Sequence, residues 1–351
     1  MTLQVEALHK RFGPVVALDG LTFEVPGGEI FGFLGANGAG KTTTMRIALG
    51  VLEADAGRVV LDGTDTRELP RRTWGYLPEE RGLYPRMVVL DQLAFFASLH
   101  GVPRDIARRS ALDWLTRLRV ADLAGRKAEE LSKGNQQKIQ LISAVLHDPP
   151  VLLMDEPFGA IDPINREVIQ DEFMKIQAEL KKTVVFVSHD IDEAVKMASR
   201  IAIFRDGRLI QYDTPDTILA NPVDAFVAEF VGGDRTLKRL RLIKVGDAMM
   251  SDPPSVIGED PLETAVGRMR EHGHISIVMV GPRGRARGVV RLESVKDKRG
   301  PVAEHHEKLP GMINVKDDLR TAVAMMFTHD ITWLACVDDD GFYKGYITQR
   351  G

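Results

Sequence analysis

One segment of the sequence has the residues and the spacing needed to hold a phosphate chain. Residues 35–42 read GANGAGKT, which matches G-x-x-x-x-G-K-[ST] in full and lies between an apolar run and a predicted helix. Glycines let consecutive backbone N–H groups point inward around phosphate oxygens, and a helix N-terminus adds partial positive charge. We expect Lys41 to reach the β- and γ-phosphates and Thr42 to place its hydroxyl on Mg²⁺. The predicted nucleotide-binding residues here are Gly35, Ala36, Asn37, Gly38, Ala39, Gly40, Lys41, Thr42 and Thr43.

A second segment supplies two carboxylates at the end of an apolar run. The run Val151–Met154 is followed directly by Asp155 and Glu156. Adjacent strand residues point to opposite faces, but where a strand ends the chain can turn both acids toward one site. We expect Asp155 to hold Mg²⁺ through water and Glu156 to polarise the attacking water. The two segments together predict a nucleoside triphosphatase.

Short apolar strands alternate with helices around these segments. The predicted strands are Glu29–Leu34, Val151–Met154, Thr183–Ser188 and Ile201–Arg205. The predicted helices are Lys41–Leu49, Leu90–His100, Asp105–Leu118 and Asn165–Leu180. Continuous apolar runs are typical of parallel strands buried on both faces, so the pattern predicts an α/β sheet core. A helical region is inserted around residues 85–130.

The pattern changes after residue 231. Gly232 and Gly233 are followed by a basic stretch, and from residue 245 a helix-then-hairpin unit occurs twice. The first helix runs from Asp260 to about His272, and the second from Asp317 to Thr328. We predict three parts: a nucleotide-binding domain over 1–231, a basic linker over 232–244, and a tandem repeat over 245–351. The second copy is expected to stop short of a closing helix.

The composition of the chain limits which partners it is expected to bind and where in the cell it is expected to lie. The 46 Lys and Arg against 50 Asp and Glu give a net charge of −4, so no global basic field favours nucleic acid. Apolar runs fall far short of the ~20 residues that a membrane helix needs. The first ten residues have no apolar stretch typical of a signal peptide. The single cysteine, Cys336, fits a reducing cytosol, so we expect any membrane connection to come through partners.

A third segment selects one family of triphosphatases. Residues 131–137 read LSKGNQQ and resemble L-S-G-G-Q, the signature motif of ATP-binding cassette (ABC) ATPases. Phe12 lies where that family stacks adenine, Gly159–Asp162 where its D-loop lies, and His189 where its switch histidine lies. The resemblance covers residues 1–231. It implies a P-loop ABC ATPase domain with a RecA-like core plus antiparallel β and helical subdomains.

The resemblance also implies roles and partners. In the family two cassettes pair head to tail, and the signature helix of each caps the γ-phosphate held by the other. Ser132, Gly134 and Asn135 would then contact ATP bound by a second ABC ATPase subunit, and Asp162 would belong to the same nucleotide site. The implied catalytic residues are Glu156, His189 and Lys41, with ATP and Mg²⁺ as cofactors.

Three positions, in two motifs, depart from the family pattern. Lys133 replaces the first signature glycine, and Asn135 replaces the terminal glutamine. Glu79 stands where the family usually carries a glutamine that touches Mg²⁺ and senses the membrane subunit. A carboxylate still offers oxygen ligands to Mg²⁺, although it adds negative charge beside the phosphates. We therefore predict that Thr42, Asp155 and Glu79 hold the metal.

The two halves of the cassette resemble different branches. Residues 75–85 (GYLPEERGLYP) with residues 131–140 resemble sodium- or drug-export ATPases, whereas the chain from about Pro149 onward resembles osmoprotectant-importer ATPases. A seam near residues 140–150 suggests a mosaic gene. The repeat resembles a tandem cystathionine-β-synthase (CBS) domain of α+β type, which regulates transport in that importer group. A dimerisation or packing appendage is the alternative reading of the repeat.

The motifs and the resemblance together predict an ATPase subunit at the cytoplasmic face of a membrane, peripheral to an integral-membrane permease. The resemblance implies import of glycine betaine, carnitine, choline or proline with an extracytoplasmic substrate-binding protein. An anionic membrane surface is a further expected partner of the basic linker, with a solvated helix as its alternative; nucleic acid is not an expected partner. The alternatives are an export ATPase and a non-transport ABC ATPase.

Overall fold

The computed structural model describes residues 1–79, 82–159, 161–251, 253–296 and 298–349. The chain divides into two compact units, Met1–Gly233 and Asp234–Gly351. Most of the predicted basic linker, residues 234–244, therefore belongs to the second unit. Among the described residues, no helix combines the length and apolar character needed to cross a bilayer.

The first unit is an α/β domain with two sheets. Its strands are β1 (Leu3–Phe12), β2 (Val15–Val25), β3 (Ile30–Gly35), β4 (Ala56–Leu61), β5 (Thr64–Asp65), β6 (Trp74–Leu77), β7 (Val151–Asp155), β8 (Thr183–Ser188), β9 (Arg200–Arg205) and β10 (Arg208–Asp213). Its helices are α1 (Lys41–Ala48), α2 (Val89–Leu99), α3 (Arg104–Arg117), α4 (Lys133–Val145), α5 (Pro163–Leu180), α6 (Ile191–Met197), α7 (Pro215–Ala220) and α8 (Ala225–Val231). The four predicted strands and four predicted helices are present within two residues at each end.

The larger sheet has the strand order β10-β9-β3-β8-β7-β6, and all its pairs except β9 with β10 are parallel. Every residue of β3, β7 and β8 is buried. In register, Leu34 lies opposite Ser188, and Asp155 opposite Val187. The carboxyl ends of these three strands therefore meet at one edge, where ligands bind in open α/β sheets. The second sheet, β2-β1-β4-β5, is antiparallel.

The inserted helical region has its own apolar core. Helices α2, α3 and α4 bury Leu93, Ala97, Leu115, Ile139 and Ile142 against one another. Helix α4 begins at Lys133, inside the LSKGNQQ segment, because the hydroxyl of Ser132 accepts a hydrogen bond from the Asn135 amide at 3.3 Å and so caps the helix.

The second unit contains the predicted helix-hairpin repeat. Its helices are α9 (Arg235–Arg239), α10 (Val245–Ala248), α11 (Leu262–Glu271), α12 (Leu292–Val295) and α13 (Leu319–Thr328). Its strands are β11 (Met250–Ser251), β12 (Ser255–Ile257), β13 (Ser276–Val280), β14 (Ala286–Arg291), β15 (Met312–Asn314), β16 (Trp333–Val337) and β17 (Tyr343–Thr348). The first copy forms the sheet β12-β13-β14, and the second forms β15-β16-β17.

The two copies exchange the segments that lead into them. Strand β11 precedes the first copy but pairs with β17 of the second, and Val245 is buried in the second copy's core. Conversely, Val302 precedes the second copy but is buried in the core of the first. Helix α12 closes the first copy, with Val295 fully buried. Within the described residues, no helix follows β17 in the second copy.

Candidate ATP-hydrolysis site

The phosphate loop connects β3 to α1 through positions that exclude side chains. Gly35 and Gly40 have φ values of 149° and 99°. A Cβ atom at Gly35 would lie 2.4 Å from the carbonyl oxygen of Phe204, and one at Gly40 would lie 2.6 Å from that of Ala17. Close backbone packing thus requires glycine at both ends of the loop, and the helix that follows begins at Lys41.

Lys41 is folded back over the loop. Its side chain is only 6% exposed, and Nζ donates hydrogen bonds to the carbonyl oxygens of Gly35 at 2.6 Å and Ala36 at 3.0 Å. Burial lowers the pKa of Lys41, and the nearby negative charges of Glu156, Asp155 and Glu79 act in the opposite direction. The ammonium is therefore held beside the phosphate-binding backbone.

The chain makes a strained turn at the end of β7. Asp155 is the last residue of that strand, and Glu156 has a left-handed φ of 47°. Such a conformation costs a non-glycine residue about 1–2 kcal/mol. The backbone N–H of Glu156 donates to the Val187 carbonyl at 3.0 Å, which holds the turn against β8. This turn places both carboxylates on the same cavity wall.

Glu156 and His189 form a hydrogen-bonded pair. The Nδ1 atom of His189 lies 2.9 Å from Oε1 of Glu156. The glutamate side chain is 13% exposed and the histidine side chain 64%. The hydrogen bond and the negative charge of Glu156 raise the pKa of His189, so the imidazole is more readily protonated beside this carboxylate.

A cavity of about 680 Å³ joins these groups. Its described lining residues are Asn37, Gly38, Ala39, Gly40, Lys41, Thr42, Thr43, Glu79, Asp155, Glu156, Gly159, Val187 and His189. Four separate segments therefore converge: the phosphate loop, the chain beyond β6, and the loops after β7 and β8. Val187 is the one lining residue that the sequence analysis did not single out.

The remaining predicted site residues lie outside the described lining. Gly35 and Ala36 act indirectly, because their carbonyls hold the Lys41 ammonium. Phe12 is half exposed at the end of β1, with the Lys10 ammonium 5.6 Å from its ring centre. Asp162 caps α5 by accepting a hydrogen bond from the Asn165 amide at 3.1 Å. The D-loop prediction also includes Ala160, which lies outside the described residues.

The three signature residues also lie away from this cavity. Ser132, Gly134 and Asn135 are in the first turn of α4, where all are at least partly exposed. They are accordingly available on the surface of this chain and do not contact its own phosphate loop cavity in the part of the chain described.

The carboxylates and hydroxyl of the cavity suit a hard divalent cation. Asp155 is 4% exposed, and its Oδ1 atom has no hydrogen-bond partner among the described residues, while the Thr42 hydroxyl bonds to the same carboxyl. Burial, and then the charges of Glu79 and Glu156, raise the pKa of Asp155, so a cation would relieve an unfavourable charge. No group of three His, Cys, Asp or Glu forms a cage in the described chain. The carboxylates of Asp155 and Glu79 and the hydroxyl of Thr42 fit Mg²⁺, which binds through one or two carboxylates, water and phosphate.

Sequence reasoning missed the polar groups behind His189. Arg166, Ser188 and Glu193 form a connected network with the loop that carries this histidine. In the sequence, only their closeness to predicted site residues could have indicated them. Arg166 follows the predicted D-loop, and Glu193 follows His189 by four residues.

Comparison with known proteins decides the family. The ABC transporter family model matches residues 18–159, and the CBS domain model matches residues 245–299. The osmoprotectant import ATP-binding protein OsmV of Salmonella typhimurium is 37% identical, over 99% of this chain and 93% of its own length. The chain belongs to the ATP-binding subunits of ABC transporters.

Other relatives and solved structures agree with this assignment. The glycine betaine/carnitine/choline transport ATP-binding protein OpuCA of Bacillus subtilis is 33% identical to this ABC subunit over 99% of the chain and 94% of its own length. A solved dimeric bacterial ABC transporter cassette, MJ0796, is 26% identical with a TM-score of 0.55, covering 61% of this chain and 98% of that one. ABC ATPases bind ATP.

The full-length relatives run through the proposed seam near residues 140–150. A shorter relative, the uncharacterized ABC transporter ATP-binding protein YhaQ of Bacillus subtilis, is 42% identical over 59% of this ABC subunit and 69% of its own length. One family therefore spans both halves of the chain, and the mosaic origin stays a prediction.

Proposed function

We propose that this chain is the ATP-hydrolysing subunit of a membrane transporter that imports quaternary-ammonium osmoprotectants such as glycine betaine, carnitine or choline. The observation that carries the proposal is similarity over 99% of the chain to relatives named for those solutes. The paired Glu156 and His189 beside a complete phosphate loop support hydrolysis rather than nucleotide binding alone.

Each cavity residue has a distinct task in this proposal. The amides of the phosphate loop and Lys41 bind the phosphate chain, and Thr42, Asp155 and Glu79 would hold Mg²⁺. Bound there, Mg²⁺ would neutralise charge on the β- and γ-phosphates. Glu156 accepts the proton of the attacking water, and its hydrogen bond to His189 fixes the orientation of the carboxylate. A protonated His189 keeps Nε2–H as a donor toward the phosphate.

A second cassette would complete the site. Ser132 is exposed and Gly134 and Asn135 are partly exposed at the start of α4, and none of them lines the described part of this chain's cavity. In a head-to-tail pair these donors would reach the γ-phosphate bound by the partner, and the N-terminus of α4 would favour its negative charge. Phe12 would stack on adenine at the exposed rim.

An apolar cleft beside the cavity supports a permease partner. The cleft, of about 230 Å³, is bordered by Tyr76, Pro78, Phe96, Leu99 and His147. Leu99 and the neighbouring Tyr84 are 65% and 52% exposed, so apolar surface extends from the cleft. Pro78 directly precedes Glu79 of the ATP cavity, so a permease segment seated here would contact the chain one residue from the metal site.

The second unit is proposed to regulate transport rather than to bind adenosine. CBS pairs often hold a ribose through a G-h-h-T-x-x-D pattern, but the first copy, residues 288–294, lacks both the Thr and the Asp. In the second copy Gly345 has a structural role, because a Cβ there would lie 2.3 Å from the Met250 carbonyl oxygen of β11. We propose that residues 232–351 tune activity with ionic strength through an anionic membrane surface, at the cytoplasmic face of the membrane.

Uptake measurements test the proposal. A strain lacking this chain should lose import of radiolabelled glycine betaine, carnitine or choline, and the wild-type gene should restore it where Glu156→Gln does not. Import should also require a substrate-binding protein outside the membrane. Efflux of sodium or a drug that depends on this chain, with no uptake phenotype, would favour the export alternative instead.

Truncation at Gly232 tests the proposed regulation by the second unit and should remove the salt dependence of transport. An unchanged dependence would refute that regulation.

A further inference from the structure

Arg166 lies between two loops that border the ATP cavity. On α5, its Nη2 donates to the carbonyl oxygen of Ile161 at 3.2 Å, in the segment that follows Gly159. Its Nη1 lies 3.4 Å from Oδ2 of Asp190 and 3.7 Å from Oε1 of Glu193, beyond β8. One planar guanidinium therefore spans both loops, a geometry that an ammonium cannot reproduce.

The carboxylates that face Arg166 are tied to the backbone on either side of His189. The Ser188 hydroxyl donates to Oε2 of Glu193 at 2.8 Å and accepts from the Asp190 amide at 3.0 Å. Asp190 also caps α6, since its Oδ1 accepts from the Asp192 amide at 2.8 Å. The residues immediately before and after His189 are both fixed by this network.

The network is nearly inaccessible to water at its centre. The Glu193 side chain is 5% exposed and that of Arg166 27%. Hydrogen bonds to charged groups are stronger in such surroundings than at an open surface. Displacement of Ile161 would therefore move the His189 loop through the Arg166 guanidinium.

We propose that Arg166 is a positioning residue for hydrolysis, which sets the orientation of His189 against Glu156 according to the position of the loop after β7. It is not among the described residues that line the cavity. Its effect on the reaction runs through the 2.9 Å contact between His189 and Glu156. The inference rests on ATP hydrolysis, as proposed above, and adds a residue that the activity requires without contacting ATP.

Steady-state ATP hydrolysis by the purified full-length chain tests this role. Arg166→Met should lower kcat by roughly tenfold or more, because small errors in the placement of reacting groups cost up to ~10²-fold. KM for ATP should stay within about twofold, since residues 35–43 are untouched. Arg166→Lys should recover part of the rate by pairing with one carboxylate. Lys175→Met, which removes an exposed charge from the same helix, is the matched control and should leave kcat unchanged.

A double-mutant cycle separates positioning from loss of structure. If Arg166 acts through His189, adding Arg166→Met to His189→Ala should cost no further rate, whereas independent structural damage would multiply the two losses. Should Arg166→Met fail to fold, the same cycle with Arg166→Lys gives the answer. An unchanged kcat, or multiplying losses, refutes the inference while leaving the proposed function intact. Absence of hydrolysis by the wild-type chain would refute both.

Discussion

The edge of the large sheet and the second unit differ in the kind of residue that they bury. At the sheet edge, buried charges and a left-handed Glu156 surround the cavity that we propose to bind the phosphates of ATP. In the second unit, the exchanged segments bury apolar residues such as Val245 and Val302, and Gly345 is required by strand pairing. The candidate catalytic groups thus lie where three strands end, whereas the buried residues of the repeat contribute packing contacts. Substitutions in the first region should change rate, and those in the second should change local stability.

The largest effect is expected from Glu156→Gln. Removal of the proton acceptor should reduce ATP hydrolysis by about 10²–10⁴-fold, while ATP binding persists because the phosphate loop is intact. Phosphate release and equilibrium ATP binding measure the two properties. Hydrolysis at more than a tenth of the wild-type rate would mean that another group is the base.

Gly345→Val should lower the stability of the second unit without lowering the rate of ATP hydrolysis. The new Cβ would lie 2.3 Å from the Met250 carbonyl oxygen, so β11 must separate from β17, at a cost of about 3 kcal/mol. Hydrogen exchange in residues 245–349 should accelerate while the basal ATPase rate is retained. Gly267→Ala, on α11 with open space around its Cβ and no left-handed φ, is the milder comparison. Loss of ATPase activity in Gly345→Val would contradict the division of roles.

Glu193 should make the stability of the first unit depend on pH. Burial raises its pKa from 4.5 to about 7. The folded state then binds more protons than the unfolded state, so the stabilisation is full below about pH 4.5 and lost as pH rises through about 7. The difference in unfolding free energy between wild type and Glu193→Gln should therefore fall by roughly 2–3 kcal/mol between pH 4.5 and 8. A constant difference would show that Glu193 is ionised throughout.

The smallest effect on stability is expected from substitution of Phe327, a position at which the two repeat copies carry different residues. Phe327 is 77% exposed on α13, at the position that Arg270 occupies on α11. Phe327→Arg should change the stability of the second unit by no more than about 0.5 kcal/mol, as exposed substitutions usually do. Hydrogen exchange around α13 provides the measurement. A loss above 1 kcal/mol would show that this side chain is covered in solution.

Most of the ATP cavity could be predicted because its residues are contiguous or follow recognisable strands. Residues 35–43, Asp155 and Glu156 lie where periodicity places strand ends, and parallel strands bring those ends together. The Arg166 network could not be predicted, because it joins three segments through side-chain geometry that no spacing encodes. The exchange of β11 between repeat copies was likewise missed, since pairing partners two residues long leave no periodic signal.

By itself, the sequence determined the class of reaction. A glycine-rich loop, an acidic pair at the end of a strand and a signature helix are recognisable from residue types and spacing alone. The tertiary structure alone decided which groups act together. It placed Glu79 and His189 on the Lys41 cavity, left Ser132 exposed, and packed β11 so closely against Gly345 that no side chain fits there. The physical reason is that local backbone preferences depend on neighbours in the chain, whereas burial, charge and steric exclusion depend on neighbours in space.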